Sequence, residues 1–86
     1  MRDRLVSIGL WDATNPNNPA NSFTAARQVM TRMDATFRYR GQTESGDYEY
    51  LVYEPRTGST IATGRGKTAA IAICTAALEA YSLQHH

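Results

Sequence analysis

The sequence predicts an α+β domain: a short N-terminal helix, then an α-β-β-β-α order in which a three-stranded antiparallel meander is packed by two helices. Three observations point there. Apolar residues recur at spacings of three and four from Phe23 to Met33, the period drops to two from Thr36, and alanine dominates the run from 69 to 80. At 86 residues the chain makes a single domain, 1–86, because single cores usually come in pieces of roughly 100 to 150 residues. The expected parts are an N-terminal appendage with a Pro/Asn-rich loop over 1–20, a helix over 21–34, the sheet over 36–63 and a helix over 68–83.

In "DRLVSIGL", Leu5, Ile8 and Trp11 recur three apart, which favours one or two helical turns. "DATNPNNPAN" reads as a loop, since Pro16 and Pro19 disfavour helix at the residues before them. Asn21 or Ser22 is placed to cap the next helix by accepting from a first-turn amide. Phe23, Ala26, Val29, Met30 and Met33 form its apolar face, and Arg27, Gln28, Thr31 and Arg32 its polar one.

From Thr36 the pattern alternates. Phe37 and Tyr39 interleave with Thr36, Arg38 and Arg40 in a half-buried strand, and "GQTESG" supplies a turn. "DYEYLVYE" is a second strand, with Tyr48, Tyr50 and Val52 on one face and Leu51 and Tyr53 on the other. "PRTGS" turns again, and "STIAT" makes a short third strand at an edge. "TGRGKT" then reads as a glycine-hinged turn that ends the strand and lets Thr68 cap "AAIAICTAALEAYSL". Ile71, Cys74, Leu78 and Tyr81 form the expected core face of that helix, with Ala70 and Ala77 alongside.

Nine Lys or Arg against eight Asp or Glu give a net charge of +1, which provides no global attraction to nucleic acid or membrane. Cys74, the sole cysteine, excludes an intrachain disulfide and a thiolate metal cluster, and its apolar setting predicts a buried, inert thiol. No apolar run approaches the roughly 18 residues of a membrane span. The first dozen residues carry an acid early and too short an apolar centre for a signal peptide. A soluble protein of a reducing compartment is expected, without cofactor or metal. His85 and His86 are assigned no chemistry.

"TGRGKT" also invites two functional readings. A phosphate-binding loop needs a glycine five positions before Gly66, where Ile61 stands, so nucleotide hydrolysis is not expected. Gly64-x-Gly66-x-Thr68, in this order of elements, resembles the start of the second helix of a double-stranded-RNA-binding domain. The positions where that family carries phosphate-contacting lysines are Ala69, Ala70 and Ile73. Arg56, Arg65 and Lys67 remain as a small basic corner. Asp47 and Glu49 point the same way on one strand but have no evident nucleophile or histidine beside them, and read as a solvated face. Three tyrosines between Tyr48 and Tyr53 combine contact area with polar tips, as interfaces do.

"DRLVSIGLW", the stretch from Arg27 to Met33 and the run from Thr68 to Ala80 together resemble the phage α/β/α sandwich domain, a family of small bacteriophage proteins. The last helix is the most specific part: Ala72, Ile73, Cys74, Ala76, Ala77 and Leu78 align without a gap. Ala69, Thr75 and Glu79 stand where proline, arginine and lysine are common in the family. The resemblance implies a fold and transfers no catalytic or binding residue. The expectation is therefore a non-enzymatic, phage-encoded module in the host cytoplasm, monomer or homodimer. It would bind a host bacterial protein, such as an antiviral defence component in the manner of an anti-CRISPR inhibitor. Arg38, Arg40, Tyr48, Tyr53, Arg56, Arg65 and Lys67 are the candidate partner-binding residues. Nucleic-acid binding of a degenerate double-stranded-RNA-binding type is the alternative.

Overall fold

A computed structural model describes residues 2–33 and 35–84. The order is α1 (Arg2–Ser7), a 3-10 turn (Pro19–Asn21), α2 (Phe23–Arg32), β1 (Thr36–Gln42), β2 (Tyr48–Tyr53), β3 (Thr60–Gly66) and α3 (Ala69–Gln84). The strands form an antiparallel meander in the order β1-β2-β3. The α+β class expected from the sequence is thus the observed one. Its shortest dimension is 20 Å, the thickness of two layers about 10 Å apart.

The N-terminal residues are part of the core and not an appendage to it. Leu5, Leu10 and Trp11 are all buried. The chain turns sharply after α1 because Gly9 takes φ 83°, so that its N–H donates to Val6 and the N–H of Leu10 donates to Leu5. The Pro/Asn-rich loop then holds itself by local side-chain bonds. Asp12, Asn15 and Asn18 each accept from the backbone N–H two residues on. The Trp11 indole donates to the Asn17 carbonyl at 3.0 Å, and the Arg2 guanidinium donates to the carbonyls of Ala13 and Asn15.

Ser22 is the cap of α2, accepting from the N–H of Ala25. The buried face of this helix is Ala25, Ala26 and Val29, with Met30 and Met33 partly buried against the core. Phe23, expected in that face, is 49% exposed: it occupies the first helical position, where the helix has not yet reached the core. Asp34, placed within the expected helix, lies outside the described residues, as do His85 and His86.

The helix that carries the core is α3. Thr68 accepts from the N–H of Ile71, as its capping role requires. Ala72, Ile73, Cys74, Ala76, Ala77 and Ala80 are fully buried, while Ile71, Leu78 and Tyr81 are only half-buried. The burial is wider than a single apolar stripe. One side of α3 lies against β3 and β2, and other sides meet α2, the 3-10 turn and α1.

The glycines of "TGRGKT" do not form a hinge. They belong to β3, which runs on through Gly66 and so exceeds the expected limit at 63. Gly64 faces α3 so closely that a Cβ there would overlap the backbone N and Cα of Ala76 and the carbonyl of Ala72. A Cβ on Gly66 would lie 2.8 Å from the Cβ of Ile71. Glycine on the strand and alanine on the helix let the two backbones approach in a way that no larger pair allows.

Two irregularities set the sheet register. Between Tyr39 and Gly41 the β1–β2 pairing shifts, so Arg40 and Gly41 together oppose Glu49. Between Val52 and Tyr53 the β2–β3 pairing shifts, so Ile61 is the extra residue on β3. Tyr48, Tyr50, Val52, Ala62 and Gly64 consequently face the helices. Arg38, Glu49, Leu51, Tyr53, Thr63 and Arg65 face the other way.

Gly64→Ala is expected to destabilise the domain by about 3 kcal/mol or more, the upper range for overpacking a tight site, because backbone atoms cannot step aside as a side chain can. Urea unfolding of the variant against the parent measures it.

Candidate functional site

The helices cover one face of the sheet and leave the other open. The open face carries Arg38 on β1 opposite Leu51 on β2, with Thr63 beyond it on β3, and then Arg40 and Arg65 flanking Glu49. Arg38, Arg40, Thr63 and Arg65 are exposed, and Leu51 and Tyr53 are half-buried. Glu49 is the exception: it is 6% exposed on a face otherwise open to solvent.

Its neighbours explain the burial. Arg65 Nε donates to Glu49 Oε2 at 2.5 Å, and Arg40 Nε lies 3.3 Å from Oε1. Each carboxylate oxygen therefore meets one guanidinium, and the two arginines roof the acid over. The Glu49 side chain is 8% exposed while each arginine side chain is 64% exposed. Strand pairing places Arg65 directly across from Glu49, and the bulge brings Arg40 over it from the other side. Glu49 is thus not part of a solvated strand face, as its sequence context suggests. It is the anchor of an ion-pair triad.

Of the expected site residues, the fold brings Arg38, Arg40, Tyr53 and Arg65 onto this one surface. Tyr48 lies on the helix side, where its ring centroid is 6.1 Å from that of Tyr39. Tyr39 also packs 5.3 Å from Tyr50 and is itself 49% exposed at the edge strand. Burial, and then the neighbouring Tyr39 and Tyr48, raise the Tyr50 phenol above its ordinary range.

The basic corner of Arg56, Arg65 and Lys67 does not exist as one feature. Arg56 sits in the turn between β2 and β3, beside the Tyr53–Thr60 end of the sheet. Arg65 and Lys67 are at the other end, beyond four residues of strand at about 3.3 Å each. Two of the three positions where a double-stranded-RNA-binding helix would carry lysine, Ala70 and Ile73, are buried in the core. Residues 63–66 are extended strand, which a phosphate-cradling loop is not.

Glu49, Leu51 and Thr63 are the members that sequence reasoning missed. Alternation along "DYEYLVYE" does put Glu49 on the face of Leu51 and Tyr53. Its partner is hidden, because counting back from the turn without the Ile61 bulge sets Glu49 opposite Gly64.

Elsewhere the molecule offers less chemistry. A cleft of about 400 Å³ opens between the start of α2 and the start of α3, with Phe23 and Ile71 in its walls. Its polar side chains are Asn21 and Thr68, and its lining contains no titratable group. Among the described residues no cluster of three His, Cys, Asp or Glu is arranged to hold a metal, and no helix is long and apolar enough to cross a membrane. Comparison with protein-family models, curated proteins and solved structures yields no match.

Cys74 is fully buried in α3, and desolvation pushes its thiol up to about 11 from an ordinary 9.0. The native chain at pH 8 is expected to resist iodoacetamide and to react once denatured; rapid native labelling would contradict the burial. The folded chain holds this proton longer than the unfolded one. Its share of stability is therefore intact below pH 9 and lost as pH rises toward 11, a decline that Cys74→Ala is expected to flatten.

Proposed function

We propose that this chain is a non-catalytic protein-binding module that docks through the open face of its sheet. The observation that carries the reading is the triad at its centre. A buried carboxylate pairs with two arginines on a surface that also presents Arg38, Leu51 and Tyr53. Arginine and tyrosine are the residues that most often anchor protein interfaces. A guanidinium fixed in advance also loses less freedom on binding than a mobile one.

The likeness to small phage proteins, drawn from the last helix and the segments before it, supports a bacterial host protein as the target. A component of antiviral defence, blocked as an anti-CRISPR inhibitor blocks its target, is the class to test first. A blocking protein acts by occupying a surface and needs no catalytic group, and this face offers contact area and charge.

The test is phage plaquing on a defence-proficient host that expresses the chain, joined to co-purification of the host partner. Wild type is expected to raise plaquing and to retain one host protein. Arg38→Glu and Tyr53→Ala should each weaken that capture by about thirty-fold, the loss of about 2 kcal/mol typical of an interface anchor. Equal plaquing with and without the chain, together with no partner retained above background, would overturn the proposal.

A further inference from the structure

The contacts within the triad say which chemistry the partner brings. Arg65 donates to Glu49 through Nε, and Arg40 stands beside the same carboxylate as an ion pair, its Nε 3.3 Å from Oε1. An arginine has five N–H donors in a fixed planar fork. The terminal nitrogens of Arg40 and Arg65 have no acceptor among the described residues, and both side chains remain 64% exposed. Two largely exposed forks therefore flank Glu49, with terminal donors that no described residue occupies. Arg38, one alternation along β1 from Arg40, adds a third guanidinium with no ion-pair partner among the described residues.

The internal acid compensates only part of this charge. Within the strands this face carries three arginines against one carboxylate, an excess that attracts an anion although the whole chain is nearly neutral. Resting on the docking reading above, we infer that Arg40 and Arg65 form a receptor for a carboxylate side chain, and that the partner presents an acidic patch to this face. Glu49 is the positioning residue: it accepts from Arg65 and pairs with Arg40, and so leaves the terminal donors of both to meet an incoming Asp or Glu in bidentate fashion. The flanking Leu51 and Tyr53 favour a protein over a polyanion, because half-buried apolar groups beside the receptor find partners on a protein surface and none on a phosphate backbone.

The test is NMR titration of the full 15N-labelled chain with a hexaglutamate peptide, following the Nε–H resonances of Arg40 and Arg65. Inorganic phosphate and a short duplex RNA are titrated in parallel. Saturable shifts at both arginines are expected with the peptide, weakened about tenfold in Arg40→Lys and Arg65→Lys, which keep the charge and lose the fork. An unchanged amide spectrum elsewhere confirms that the variants fold. Absent shifts, or undiminished binding by the lysine variants, would overturn the receptor, as would phosphate or RNA saturating the arginines at lower concentration than the peptide. The two proposals fail separately. If the lysine variants still capture the host protein while Tyr53→Ala does not, the docking face stands and the carboxylate receptor falls.

Discussion

Everything in this domain is built on the contact between β3 and α3. Gly64 meets the backbone of Ala72 and Ala76 with no side chain between them. Burial at full density stabilises a small core in proportion to the apolar area withdrawn from water. An 86-residue chain has little such area to spare. Bringing helix and strand together on small residues lets Ile73, Cys74, Val52 and Leu5 complete one continuous core. It also fixes the side of the sheet on which the helices lie, and thereby leaves the opposite side open.

That open side owes its character to register. A strand residue faces one side or the other by parity, and an inserted residue reverses the parity of everything beyond it. The Ile61 irregularity turns Gly64 toward the helix and Arg65 away from it, in one step. The arrangement that permits close packing on one face therefore also sets Arg65 across from Glu49 on the other. Arg40, delivered by the second irregularity, completes the triad. Core and open face are two consequences of a single pairing scheme.

The triad is better understood as organisation than as a source of stability. Both arginines are largely solvated, so their attraction to Glu49 is screened and contributes little to folding. What the acid provides is direction. It draws Arg40 and Arg65 together over one carboxylate, on a face that carries a third guanidinium at Arg38. Such a surface does not require a basic protein, and the near-zero net charge of the whole chain conceals it.

The sequence by itself determined the elements. Periods of three to four and of two separated helix from strand, the turn residues divided the strands, and Ser22 and Thr68 marked the helix starts. Four of the seven site residues expected from composition and alternation do share one face. Local spacing could not reveal that "TGRGKT" is a strand whose glycines accommodate a helix, because that need arises only where two distant segments meet. Nor could it reveal that Arg56 and Arg65 lie at opposite ends of the sheet, or that Glu49 is buried between cations. The physical reason is the same in each case: propensity and periodicity act over a few residues, whereas register and close approach are properties of pairs of elements, set only when the chain packs.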